Sequence, residues 1–77
     1  MTPLHQLRRG ETGRIATINE DDDALIADLA DAGFHVGEVI ELLERGAIGG
    51  TPLAVRVGRA IVAVRRREAT AIMVERT

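Results

Sequence analysis

The sequence predicts a mainly β protein built as a small five-stranded barrel, with one α-helix after the first strand. Leu53, Val55 and Val57 alternate with smaller or polar residues, the pattern of a strand with one buried face. A Gly58-Arg59 turn then leads into a second aliphatic run over residues 60–64, which predicts a hairpin. Because the chain has only 77 residues, such a sheet buries enough apolar surface only by curling onto itself.

The N-terminal third is expected to hold a packed arm and the first strand. Leu4 and Leu7 are three residues apart and indicate an arm that packs onto the barrel. Residues 13–18 are rich enough in β-branched side chains to form a strand. The acidic run over residues 20–23 ends that strand and reads as a solvated loop that leads into a helix.

The helix is predicted to begin after Asp22 or Asp23 and to run to about Ala32. Either carboxylate can accept hydrogen bonds from the unpaired backbone N–H groups of the first turn. Gly33 supplies a residue that ends a helix in the left-handed conformation, and Phe34 should then contact Leu29. The buried stripe is expected at the helical spacing of residues 25, 29 and 32.

The remaining elements complete the barrel. Residues 38–44 carry apolar side chains on both faces, which predicts a strand buried on both sides, between barrel interior and helix. The hairpin strands cover residues 53–57 and 60–64, residues 66–70 form a short helical turn, and residues 72–74 form the last strand. This order of elements is that of an SH3-like barrel with a helix inserted after strand one.

Composition limits the class of protein. The net charge is −2 and there is no cysteine, which excludes a disulfide, a thiolate metal site and a cysteine nucleophile. No stretch approaches the ~20 apolar residues of a membrane span, and the N-terminus lacks the apolar core of a secretory signal. We therefore expect a single domain over residues 1–77, located in the cytoplasm and not inserted in a membrane.

The order and spacing of motifs over the whole chain resemble one known family. The motifs are Leu-x-x-Leu at 4–7, Gly-Glu at 10–11, Gly-x-Ile at 13–15, Leu-x-x-x-Gly-Phe at 29–34, Ile-Gly-Gly-Thr-Pro-Leu at 48–53 and Arg-Arg-Arg-Glu-Ala at 65–69. They are similar to those of FeoA domains, the small SH3-like proteins of bacterial ferrous iron uptake. The resemblance implies an accessory protein that binds the cytosolic side of FeoB, a membrane iron transporter with a GTPase domain. The same barrel forms the C-terminal domain of iron-dependent transcriptional repressors. A chain of 77 residues leaves no room for the winged helix that such repressors need, so a whole repressor is not expected.

Direct metal binding is the first alternative, as a sensor of divalent iron. The candidate ligands are His5 and His35, since Fe²⁺ and other divalent transition metals accept imidazole together with carboxylates. No two ligands have the spacing of a metal motif, so the fold or a second subunit would have to assemble the site. No cofactor is required, and the absence of nucleophile, phosphate-loop and dinucleotide motifs indicates that the chain is not an enzyme.

Nucleic acid is the second alternative, because residues 10–15 resemble the start of a KOW-type RNA-binding barrel. The net negative charge and the single aromatic residue argue against this reading. Protein partners are favoured instead, with a homodimer through strand edges as a further alternative. The candidate contact residues are Phe34, His35, Ile48 and Arg56.

Overall fold

The computed structural model describes residues 1–47 and 49–77. Within them the chain forms six strands, two α-helices and one 3₁₀ turn. The strands are β1 (Thr2–Pro3), β2 (Thr12–Ile18), β3 (Val39–Gly46), β4 (Gly50–Val57), β5 (Ala60–Val64) and β6 (Ile72–Arg76). The helices are α1 (Asp23–Asp31) and α2 (Arg66–Ala71), and the 3₁₀ turn covers Leu4–Gln6.

All strands belong to one antiparallel sheet in the order β1-β6-β2-β3-β4-β5. The register shifts once between β2 and β6 and twice between β3 and β4, and such bulges bend a strand and increase its twist. The molecule measures 29 × 26 × 24 Å, so the sheet is strongly curled rather than flat. This confirms the predicted mainly β, SH3-like architecture.

The sheet has one strand more than the sequence predicted. The additional strand, β1, lies in the segment expected to be an arm, where Thr2 pairs with Val74 and Pro3 with Met73. A strand of two residues, one of them proline, is too short to show the alternation of apolar and polar residues by which a strand is predicted. The arm itself packs as expected, because Leu4 and Leu7 are fully buried.

The core is one continuous aliphatic cluster inside the curled sheet. It contains Leu53, Val55 and Val57, which the alternation predicted, and Phe34 as the only aromatic. No charged or polar residue of the described chain is buried in it. The other members are Leu4, Leu7, Ile15, Leu29, Ile40, Leu42, Val64, Ala69, Ile72 and Val74.

The two ends of α1 follow the sequence prediction. The Asp22 carboxylate accepts hydrogen bonds from the N–H groups of Ala24 (2.9 Å) and Leu25 (3.3 Å). At the other end Gly33 has φ +101°, and the Phe34 N–H donates to the Leu29 carbonyl at 2.9 Å. The Gly33 conformation and the Phe34–Leu29 bond are features of a Schellman motif, which turns the Phe34 side chain into the core.

The prediction that residues 38–44 have two buried faces was wrong. Ile40 and Leu42 are buried, but Val39 is 42% exposed, because the outer face of β3 is not covered by a helix. Apolar residues on both faces therefore indicated one core face and one apolar surface. The uncovered face is where the candidate site lies.

Candidate functional site

The outer face of the curled sheet is an open surface formed by β2, β3, β4 and β5. Strand register places Thr12, Glu41, Arg56 and Ile61 in one row across these four strands. The next row includes Arg14 and Val39, which pair directly. We call the five residues Arg14, Val39, Glu41, Arg56 and Ile61 the outer sheet face.

Apolar side chains are exposed on and beside this face. Ile61, the second residue of β5, is 65% exposed, and Val36 is equally exposed in the loop that leads into β3. A shallow hollow of about 440 Å³ extends from Arg14 and Val39 to Arg56 and Gly58. Exposed aliphatic side chains beside arginines form a surface suited to a protein partner rather than to a small molecule.

The two arginines of the outer sheet face differ in whether their guanidinium groups already bind another group of the protein. The Arg14 guanidinium donates to the Gly37 carbonyl at 2.8 Å and so braces the loop before β3. Arg56 forms no ion pair within the described residues, although Glu41 is its cross-strand neighbour. Its guanidinium is therefore the cation of this face that is best placed to bind an incoming carboxylate.

The fold separates the residues that the sequence nominated for partner contact. Phe34 is 1% exposed and packs in the core, so its ring offers no surface to a partner. His35 follows it and is exposed, and Arg56 lies on the outer sheet face. Ile48 lies outside the described residues.

The two candidate metal ligands belong to different parts of the fold. His5 lies in the 3₁₀ turn, with its Nδ1 buried and without a hydrogen-bond partner, and His35 is exposed after α1. Among residues 1–47 and 49–77, no three His, Cys, Asp or Glu side chains are grouped closely enough to hold a metal ion. A metal site that used either histidine would need ligands from elsewhere.

The acidic run before α1 has a structural role that includes a distant arginine. Glu20 accepts hydrogen bonds from the backbone N–H groups of Asp21 and Asp22, which shape the loop. Arg67 of α2 lies 3.3 Å from Asp22 Oδ2 and 3.9 Å from Glu20 Oε1, so α2 partly neutralises the run. The sequence predicted the loop and the cap but not this cation, which is 45 residues away from Asp22.

A second arginine network ties the two ends of the chain together. Arg76 donates to Glu11 Oε2 at 3.1 Å, to Thr2 Oγ1 and to the Gln6 carbonyl. The Glu11 carboxylate also accepts the Arg8 N–H, and this bond together with Arg76 lowers the pKa of Glu11 below its ordinary value of 4.5. Arg45 donates to the Leu7 carbonyl and further anchors the arm. Sequence reasoning missed the bonds of Arg76 and Arg45 because they join residues 38 to 74 positions apart.

Neither described helix has the length and apolar content needed to cross a bilayer.

A search of curated protein sequences found no match. Solved structures do match. One is the solution structure of iron(II) transport protein A from Clostridium thermocellum, which is 31% identical with a TM-score of 0.90. The match covers 97% of this chain and 45% of the C. thermocellum chain.

Two further structures show the range of the similarity. Stenotrophomonas maltophilia FeoA, a prokaryotic SH3 domain protein solved in complex with zinc, is 31% identical with a TM-score of 0.81; the match covers 97% of this chain and 89% of that one. A manganese-dependent transcriptional repressor in complex with manganese is 26% identical with a TM-score of 0.88, over 97% of this chain and 36% of the repressor. The chain thus spans less than half of the C. thermocellum protein and of the repressor.

The family assignment rests on a match over nearly the whole chain. The family model for the FeoA domain matches residues 2–76, from β1 to the end of β6. This FeoA match agrees with the curled six-stranded sheet and with the structural similarity to iron(II) transport proteins. The chain therefore belongs to the FeoA domain family, which is associated with ferrous iron transport.

Proposed function

We propose that this chain is a cytoplasmic, non-catalytic accessory protein of ferrous iron uptake. It binds the cytosolic region of a FeoB-type transporter and modulates transport or the transporter's GTPase cycle. A small domain acts in this way by binding one conformation of its partner more tightly than another. The observation that carries the proposal is the outer sheet face, where exposed aliphatic side chains surround an arginine without an ion pair.

The family supports the biological context. The chain belongs to the FeoA family and is 31% identical to a protein named for iron(II) transport. The aliphatic side chains of the protein itself fill the interior of the sheet, which agrees with a role through contacts at the protein surface.

The test is binding to the isolated cytosolic GTPase domain of a FeoB-type transporter, without nucleotide, with GDP and with a GTP analogue. Wild-type protein should bind in at least one state, and Arg56→Glu should weaken binding by about tenfold or more, since one charged contact is worth ~1.5–3 kcal/mol. Arg8→Glu, at an exposed arginine outside the outer sheet face, is the matched charge-reversal control and should bind like the wild type. No binding in any nucleotide state, nor to the full-length transporter, would refute the adaptor role.

Binding of divalent iron is the second candidate. It is favoured by the buried, unpartnered Nδ1 of His5 and by the zinc complex of the S. maltophilia protein. Its ligands would be His5 and His35, with further ligands from another chain. Titration with Fe²⁺ or Mn²⁺ distinguishes the two candidates. A sub-micromolar site that disappears in His5→Ala or His35→Ala would favour sensing, whereas an adaptor should show no such site.

A further inference from the structure

The strand β5 ends the sheet and leaves one side of its backbone open. The two-residue Gly58-Arg59 turn makes Val57 and Ala60 the hydrogen-bonded pair next to the turn. Because antiparallel pairs alternate, Ala60, Val62 and Val64 bond to β4, and the N–H and C=O groups of Ile61 and Ala63 point away from it. Among the described residues, no backbone hydrogen bond from a loop or turn reaches Ile61 or Ala63.

This edge lacks the features that usually protect sheet edges. Exposed edges are normally short or carry prolines, charges or bulges that prevent another strand from pairing. The opposite edge, β1, follows that rule with two residues and a proline. By contrast β5 contains only Ala, Ile and Val, keeps one register with β4 over five pairs, and leaves Ile61 65% exposed. Beside it, a hollow of about 460 Å³ between α1 and β5 gives space next to the strand.

Positive charge stands at both ends of the open edge. Arg59 lies in the turn before β5 and Arg65 directly follows it, and neither forms an ion pair within the described residues. The sequence from 45 to 67 contains no acidic residue. Two carboxylates lie near the second end, Asp28 across the hollow and Glu68, and Glu68 already accepts the Arg65 N–H at 2.8 Å.

A second copy of the chain fits this edge poorly. An antiparallel β5–β5 pair centred on Val62 would place Arg59 of each copy beside Arg65 of the other. Symmetry repeats this contact at the other end of the strand pair, so two arginine pairs would form without an acidic side chain from the paired segments. Like charges directly opposite one another destabilise a strand pair.

We infer that the β5 edge binds an extended segment of the partner, which adds to the sheet as a seventh strand. The segment carries aliphatic residues at alternating positions and Asp or Glu at the positions that meet Arg59 and Arg65. Main-chain hydrogen bonds to Ile61 and Ala63 supply the pairing, as in other strand-addition complexes, and the arginines select acidic flanks. The identity of the partner, a FeoB-type transporter, rests on the proposed function, whereas the chemistry of the edge does not.

The decisive variant is Ala63→Pro. A proline at this position removes only an N–H that points away from β4, so the β4–β5 ladder stays intact. Ala63→Ser is the matched control, because it changes the side chain but keeps the N–H. On binding of the transporter's cytosolic domain, the Ile61 and Ala63 amides of the wild type should become protected from hydrogen exchange. Ala63→Pro should then lose about tenfold or more in affinity, and Ala63→Ser should bind nearly as the wild type does.

A second pair of variants tests the charges without touching the strand. Arg59→Glu and Arg65→Glu should each weaken binding by about fivefold or more at low salt, and raising the salt should reduce the difference. These charge variants still test the inference if circular dichroism shows that Ala63→Pro is unfolded. Unchanged affinity in the charge variants, or an unprotected Ala63 amide in the complex, would overturn the inference while leaving the adaptor role intact.

A synthetic peptide separates this inference from the proposed function. The probe has about ten residues, with alternating valine and threonine between paired aspartates, and its control carries lysines in place of the aspartates. The acidic peptide should protect the Ile61 and Ala63 amides and the lysine peptide should not, even if the transporter domain fails to bind. Equal behaviour of the two peptides, or protection that rises with protein concentration alone, would overturn the inference, the latter in favour of a second copy.

Discussion

Phe34 and His35 are neighbours in the chain but lie in opposite environments. The Schellman motif at the end of α1 turns the Phe34 ring into the core and leaves His35 on the surface. Burial of an aromatic side chain stabilises a small domain strongly, whereas an exposed histidine contributes little to folding. Of the two side chains, the Phe34 ring is therefore part of the core and the His35 ring is on the surface.

Phe34→Ala should lower the free energy of unfolding by about 3–5 kcal/mol, the usual cost of removing a buried aromatic ring. His35→Ala is the control and should change it by less than about 0.5 kcal/mol, as most surface substitutions do. Urea unfolding followed by circular dichroism measures both. A Phe34→Ala protein as stable as the wild type would contradict the placement of the ring in the core.

Glu11 makes stability depend on pH at the acid end. Its pKa is lowered in the folded protein, first by the Arg8 N–H and then by Arg76, so the ionised form contributes stability above the ordinary value of 4.5. That contribution is lost as the pH falls through the lowered pKa. Glu11→Gln should therefore have a lower Tm than the wild type near neutral pH and approach it in acid. A Tm difference that stays constant with pH would show that the charge of Glu11 is not the cause.

At the scale of the secondary-structure elements, single side chains and single glycines decide whether a helix or hairpin forms. The N-cap of α1 and the β3–β4 hairpin are the clearest cases. Asp22 both caps the helix and pairs with Arg67, so its two roles need two variants.

Asp22→Ala removes both interactions and should cost about 1.5 kcal/mol, about 1 for the helix cap and about 0.5 for the exposed ion pair. Asp22→Asn keeps an oxygen for the Ala24 and Leu25 N–H groups but loses the charge, so it should cost only the exposed ion pair, about 0.5 kcal/mol. Thermal unfolding of both variants measures the difference. If Asp22→Asn is as destabilised as Asp22→Ala, the ion pair rather than the cap holds this end of α1.

Gly46 is required where β3 approaches β4. A Cβ added at Gly46 would lie 2.0 Å from the Thr51 carbonyl oxygen and 2.3 Å from its carbon, and both are backbone atoms. Gly46→Ala should therefore destabilise the protein by more than about 2 kcal/mol, since backbone must move. At Gly37 a Cβ meets nothing within 4 Å, although φ is +96°, so Gly37→Ala should cost only backbone strain of about 1 kcal/mol. Comparable losses in the two variants would contradict the close approach at Gly46.

On the scale of the whole molecule, the first residues complete the structure that the last strand begins. Leu4 is fully buried, β1 pairs with β6, and Arg76 binds groups of the N-terminal segment. The curled sheet is thus held by contacts between the two ends of the chain.

Leu4→Ala should lower the free energy of unfolding by about 2–5 kcal/mol, as large-to-small substitutions in cores do. Ile61→Ala removes a side chain of similar size from the exposed face of β5 and should change it by less than about 0.5 kcal/mol. Chemical unfolding compares the two. Similar, small losses would mean that the N-terminal arm does not form part of the cooperative unit.

The sequence by itself determined the elements whose signals are local. Alternation over residues 53–57 and 60–64, the Asp22 cap and the Gly33-Phe34 end of the helix depend on neighbours a few positions apart, and all were confirmed. The chemistry of a partner-binding surface is not local, so the candidate residues were scattered. Of the candidates that the structure describes, Arg56 alone lies on the outer sheet face, and Phe34 lies in the core.

Only the tertiary structure decided which apolar face stays uncovered, which strand ends the sheet and which arginines are already paired. Val39 and Ile40 are equally apolar in the sequence, yet curling of the sheet buries one and exposes the other. The pairing of β1 with β6 and of Arg76 with Glu11 joins residues more than sixty positions apart. Such contacts depend on the path of the chain in space, and periodicity along the chain carries no information about them.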